Sequence, residues 1–512
     1  MSSPQRILKR LALVGVGIVS VAALAACSPP STGSAGGGAG GASADLTVAE
    51  TTAPSSLDPQ ASSLFADRFA WQLSYECLMT TTADGQLKPS LATGYQKSSD
   101  GLTYTFTLRD GVKFSNGSTF TADDVVYTFT RITSSPNRID KELFSTFTSV
   151  EKVDAKTVKF HLSSPDAGFV NNMGNPLVWG CAIMSKDAAK ENLATKMVGT
   201  GPWSQTDYQP ETSLTFTRNA DYWGDKAKAA KLTVLYMPTM GTQVSNLKAK
   251  KVDIIFPDQG SAKDLKSAGF TVDQVHTDST IFLQINNTKA PFDNPKVAQA
   301  MALAFDRKAL ADQAYGGAAR PSAYLPPSLA WAPKLSDVPN HTQDVAKAKQ
   351  LLADAGYPNG LDISLLYING YDPGTNDLMA VMQAQLAKAG FKVQLEPLEA
   401  ATWSARRKAL NYQLSWNAQS YYSNPYQYVA PVAGRQGPVP DSLQKLINAA
   451  FAAGSETDYQ KALSKVEMQE ATLIYPTITL LAKDMFVAHA SSLQGVKVPS
   501  SQSRTFLSQV SK

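Results

Sequence analysis

The chain has 512 residues, of which 43% are hydrophobic and 18% charged, with a formal net charge of +4. That length suits about three domains of ~150 residues, with enough apolar side chains for large cores. The small net charge and the lack of any long Lys/Arg run argue against nucleic acid as a partner.

The N-terminus reads as a targeting segment. Arg6, Lys9 and Arg10 precede an apolar stretch, Leu11 to Ala26, broken only by Ser20. The stretch is shorter than the roughly 20 residues that span a bilayer. It ends in Leu24-Ala25-Ala26-Cys27, which resembles a bacterial lipobox. On that resemblance residues 1–27 are a lipoprotein signal peptide, and Cys27 is lipidated and left as the first residue. The alternative is an ordinary secretory peptide with a stray cysteine. Firm anchoring takes two or more lipid chains. Residues 28–44 are Ser, Pro, Thr, Gly and Ala only, a flexible tether with a root-mean-square reach of about 20–25 Å. No later apolar run reaches membrane-spanning length, so the body beyond the tether is expected outside the bilayer.

Leu46 to Ala49 reads as a short strand. Leu57-Asp58-Pro59-Gln60 follows, and Tyr75-Glu76-Cys77-Leu78 comes after a helix-like stretch. From Gln86 to Arg131 the pattern is strand, turn, helix. Tyr104, Phe106 and Leu108 alternate with Thr105, Thr107 and Arg109, the period of a half-buried strand. Asp100-Gly101, Asp110-Gly111 and Asn116-Gly117 are turn signals. Thr121 ahead of Asp124 forms a capping box, with Val125, Val126 and Phe129 as the helix's apolar face.

Thr157 to Leu162 alternates as another strand. In Gly199-Thr200-Gly201-Pro202-Trp203 and Arg218-Asn219-Ala220-Asp221-Tyr222-Trp223-Gly224 the glycines suit tight turns and the aromatics suit core packing. Leu232 to Tyr236, Val252 to Phe256 and Thr280 to Asn286 read as strands. Asn294 is an N-cap with Pro295 at the first helical position, and Val297, Ala300, Met301, Ala304 and Phe305 share a face. Helices around Val345–Ala355 and Leu378–Leu386 end at Gly356 and Gly390, and the strand Phe391 to Leu395 follows directly. Helix, glycine, strand is the wiring of an α/β domain. Cys77 and Cys181 could form one disulfide or stay as two buried thiols, and they are too sparse for a zinc framework.

Pro89-Ser90-Leu91-Ala92, the run D-G-L-T-Y-T-F-T-L-R-D-G-V-K-F-S-N-G beginning at Asp100, and F-T-A-D-D-V-V-Y-T-F-T-R ending at Arg131 resemble family 5 of the bacterial extracellular solute-binding proteins. This is the dipeptide, oligopeptide and nickel class that feeds ABC importers. Further family-like pieces recur in the same order almost to the C-terminus. The resemblance implies an α/β, two-lobed periplasmic-binding-protein-like fold with an extra small domain, giving three domains around a ligand cleft. Domain I would take 45–88, 199–285 and 483–512, domain II 89–198, and domain III 286–482. It implies a substrate-binding lipoprotein, anchored by lipid on the outer side of the cell membrane. Such a protein captures a peptide or peptide-like solute and passes it to permease subunits. Alternatives are the same role for an oligosaccharide or a chelated metal and, more distantly, a cell-surface adhesin or structural lipoprotein.

Leu410 to Tyr428 is the candidate ligand segment, with six aromatics in nineteen residues and no charge. Trp416, Tyr421 and Tyr422 would stack on a solute, and Asn417 and Gln419 would bond it. The D-x-x-[D/E]-P pattern of peptide-binding members aligns its acidic positions with Tyr421 and Asn424, so both carboxylates are missing. Arg406, just upstream, could hold a ligand carboxylate. By analogy Phe65 and Asp67 would face the cleft from the first lobe. The four histidines are far apart, and neither H-E-x-x-H nor G-x-S-x-G occurs. No cofactor, metal or enzymatic chemistry is therefore expected.

Overall fold

The computed structural model describes residues 44–512, apart from 62–64, 83–85, 135–143, 175–178, 326, 328, 330, 373, 421–438 and 500–502. One eleven-stranded mixed sheet runs through the molecule, and a separate four-stranded antiparallel sheet stands beside it.

The large sheet has two halves joined by two long strands, Thr271–Ile285 and Thr477–His489. These pair antiparallel from Thr271↔His489 to Gln284↔Thr477, with register shifts between His276 and Ser279 and between Ile281 and Phe282. Toward His489, the short strand Ile254–Ile255 continues the sheet to the parallel strands Leu46–Glu50 and Lys231–Tyr236. Toward Ile285, Leu414–Ser420 continues it to the parallel pair Leu361–Ile368 and Phe391–Leu398. Each half has its own apolar core, so the molecule has two lobes.

The second lobe follows the expected α/β wiring. Helix Thr375–Lys388 crosses between the parallel strands Leu361–Ile368 and Phe391–Leu398. Gly390 stops it with φ 98°, a conformation that only glycine adopts readily. Asn294 caps helix Pro295–Leu303 by accepting from Lys296 N at 3.1 Å, with Pro295 at the first position.

The four-stranded sheet holds Ala92–Lys97, Thr103–Leu108, Thr157–Leu162 and Phe147–Asp154, in that order. Tyr104, Phe106 and Leu108 point inward and are buried, as their alternation predicts. Helix Ala122–Ser134 covers the sheet, and Phe129 meets Phe160 edge to face with ring centroids 4.8 Å apart. The capping box forms: Asp124 Oδ2 accepts from Thr121 N at 2.8 Å, and Thr121 Oγ1 accepts from Asp123 N at 3.3 Å. This sheet shares one continuous core with the first lobe.

Three sequence motifs meet in that shared core. The Glu76 carboxylate accepts from Thr200 Oγ1 at 2.8 Å, Tyr222 Oη at 2.8 Å and Trp223 Nε1 at 2.9 Å. Burial holds the Glu76 carboxyl above its usual range, and these three donors offset only part of that. A side chain on Gly199 would put its Cβ 1.9 Å from Ser74 O, so only glycine lets this segment pass the end of helix Phe65–Ser74. Cys77 and Cys181 form a disulfide, their Cα atoms 5.5 Å apart, which settles the alternative left open by the sequence. It closes a separation of 104 residues, so it removes much of the unfolded chain's freedom, by about 4–5 kcal/mol in the chain-entropy account.

Candidate functional site

A cavity of about 770 Å³ lies between the lobes. It opens past the carboxyl ends of the parallel strands Leu46–Glu50 and Leu361–Ile368, where open α/β sheets place their ligands. Its volume is that of a small-molecule site. The floor is Lys483 to Phe486, in the middle of strand Thr477–His489, opposite the register shift after His276.

The first-lobe wall is built around Arg504. Its side chain is almost wholly buried, and its Nε lies 2.8 Å from Glu50 Oε1. The guanidinium carbon sits 3.9 Å from the Phe69 ring centroid and 3.4 Å from that of Phe256. Two aromatic faces and a carboxylate thus compensate a cation withdrawn from water. Asp258 completes this wall and caps helix Gln259–Ser267, accepting from Ser261 N at 2.8 Å.

The second-lobe wall is built around the turn that follows Leu361–Ile368. Tyr371 lies on it with 50% of its surface exposed. Asp372 pairs with Lys483 from the floor and accepts from Thr375 Oγ1 at 2.8 Å. Lys483 Nζ also stands 5.4 Å above the Tyr315 ring. Burial, reinforced by Asp372, raises the Tyr315 phenol and keeps it neutral. Asp484 pairs with Arg320 and lies 3.0 Å from His276 Nδ1. Across the cavity's edge, Gln259 Nε2 donates to Gly316 O at 2.6 Å and ties the two walls together.

Charge in the cavity is one-sided. Five carboxylates line it, Glu50, Asp258, Asp372, Asp377 and Asp484, against Lys483 and Arg504. Glu50, Asp372 and Asp484 are ion-paired. Neither Asp258 nor Asp377 forms a salt bridge with a described residue; Asp377 is exposed in the first turn of its helix.

Of the residues singled out from sequence, those with described side chains, Trp416, Asn417, Asp67 and Arg406, do not themselves line this cavity. Trp416 is fully buried in the second-lobe core and meets the cavity-lining Tyr371, its ring 4.9 Å away and edge-on. Asn417 is partly buried on strand Leu414–Ser420, opposite Phe282. Asp67 is buried and accepts from Ser55 N and Ser55 Oγ, while its helix neighbours Ala66 and Phe69 line the cavity. Arg406 pairs with Glu396 at 2.6 Å on an outer helix, Ala400–Lys408, that buries none of its residues. Tyr421, Tyr422 and Asn424, the side chains of Phe65 and Gln419, and the lipobox with Cys27 lie outside the described residues.

Most of the residues that line the cavity are others. Lys483-Asp484 had a signal, since two charges interrupt an otherwise apolar strand. Tyr371 had one too, being an aromatic in the turn-forming run N-G-Y-D-P-G. Arg504 had none. Among the described residues no cluster of three or more His, Cys, Asp or Glu is placed to hold a metal ion, and no helix is long and apolar enough to cross a membrane.

Two lobes closing on a small-molecule cavity define a periplasmic-type solute-binding protein. The sequence profile of the bacterial extracellular solute-binding proteins, family 5 (middle region), matches residues 86–438, and the chain belongs to that family. Its members are solute-binding proteins rather than enzymes, and they work outside the cytoplasm. The glutathione-binding protein GsiB of Salmonella typhi is 28% identical over 483 residues, covering 89% of this chain and 92% of that one. Heme-binding protein A of Haemophilus influenzae is 30% identical over 402 residues, 72% of each chain. The ABC transporter-associated periplasmic binding protein DppA of Helicobacter pylori, solved with the peptide STSA, superposes with a TM-score of 0.76 at 25% identity. That match covers 91% of this chain and 98% of that one.

Proposed function

We propose that the protein is the lipid-anchored receptor of an ABC importer, and that it captures a peptide or peptide-like solute between its lobes and delivers it to the permease. On this reading it performs no catalysis. Domain I comprises 45–88, 199–285 and 483–512, domain II 89–198 and domain III 286–482. A lipid on Cys27 and the tether 28–44 leash the body to the outer face of the membrane.

The carboxylate excess of the cavity carries the peptide reading. A peptide's ammonium needs a buried counter-charge, and leaving it without one would cost several kcal/mol. Tyr421 and Asn424 carry no charge, and on this reading half-buried Asp258, which lines the first-lobe wall without a salt bridge to a described residue, supplies it, with exposed Asp377 adding negative charge from the opposite wall. Contacts that a solute makes to both lobes at once are what stabilise the closed arrangement. A non-peptide solute, an oligosaccharide or a chelated metal, is the second reading, favoured by the uncharged aromatic run 410–428.

Mass spectrometry of protein extracted from membranes tests both parts. The expected result is a lipid-modified Cys27 and a co-purified solute bearing a free amino group. An unmodified Cys27 would overturn the anchor, and a co-purified saccharide or metal chelate would overturn the peptide.

A further inference from the structure

We infer that Tyr371 is the platform on which an apolar or planar side chain of the solute rests, and that Trp416 is the residue that positions it. The inference rests on the peptide-receptor reading above. Among the described residues three large hydrophobic side chains are well exposed, Tyr95, Val153 and Tyr371, and only Tyr371 lines the cavity. Two aromatic rings of the opposite wall, Phe69 and Phe256, already hold the Arg504 guanidinium between them. Tyr371 has half its surface open instead.

The ring is also held in place before any solute arrives. Trp416 meets it at an interplanar angle of 68°. The turn that carries it is pinned on both sides: Asn369 N donates to Leu398 O at 3.0 Å, and Asp372 is held by Lys483 and Thr375. A ring already immobilised loses little further freedom on binding, so more of the stacking attraction appears as affinity. Trp416 touches no solute on this account. It fixes the angle of a ring that does.

Calorimetry with the tripeptides Ala-Phe-Ala and Ala-Ala-Ala, both with free amino termini, tests the inference. Wild-type protein should prefer Ala-Phe-Ala. Tyr371→Ala should bind it about 10–30-fold more weakly, while Tyr371→Phe stays within about twofold. Trp416→Phe should erode the preference for Ala-Phe-Ala and leave Ala-Ala-Ala unchanged, whereas a purely structural defect would weaken both alike. Unchanged affinity in a folded Tyr371→Ala variant overturns the inference and leaves the receptor reading standing. Failure of the wild type to bind either tripeptide overturns the peptide reading and this inference together.

Discussion

The Glu76 node of the first lobe and the cavity between the lobes are assembled in opposite ways. At Glu76 the Y-E-C-L segment supplies one carboxylate, and G-T-G-P-W with one donor and D-Y-W with two converge on it. The cavity draws its polar groups from unrelated places: a turn at Tyr371, the middle of a strand at Lys483 and Asp484, and a C-terminal loop at Arg504. The segments that make the chain recognisable are thus scaffold, and the residues that line the cavity are isolated ones around them. A scaffold of this kind can keep its wiring while the lining changes, which suits a family whose members are named for glutathione, heme and peptides.

Three substitutions would break or sharpen that separation. The largest effect is expected from Trp416→Ala, because the indole fills the second-lobe core. The void should lower unfolding free energy by about 3–5 kcal/mol in urea titrations. Wild-type stability in this variant would show that the indole is not part of the scaffold. Glu76→Ala comes next. Thr200, Tyr222 and Trp223 lose their common acceptor, for about 1–3 kcal/mol of stability, with water able to replace part of it. Solute affinity should not change, and a change at unaltered stability would show that scaffold and cavity are coupled. Arg406→Ala should do least, since its pair with Glu396 is partly exposed and contributes below about 1 kcal/mol. A clear loss of affinity there would mean that the site extends onto helix Ala400–Lys408.

Much of the scaffold was legible in the sequence, because local rules decide it. The alternation around Phe106, the cap at Asn294 and the helix stop at Gly390 each follow from a residue's own stereochemistry and its near neighbours. The site was much less legible, because it depends on which distant residues the fold brings together. Nothing near Arg504 in the chain announces that Glu50, Phe69 and Phe256 will enclose it, each more than 200 residues away. Trp416 is the opposite case. An aromatic near a loop looks like a binding residue, and the fold buries it against Tyr371. Asp67 went the same way: a carboxylate on the right helix, turned inward onto Ser55.

The Cys77–Cys181 bridge has a consequence for where the chain can acquire its final form. Thiol pairs of this kind are kept reduced in a cytosol and oxidised outside it. Residue 77 follows Glu76 within its motif and residue 181 lies beyond the four-stranded sheet, so the bridge fastens the small sheet's return segment to the first lobe. Chain produced and kept in a reducing compartment would lack that fastening. Material intended for measurements on the Glu76 region is therefore best folded under oxidising conditions and checked for free thiols before its stability is compared with anything else.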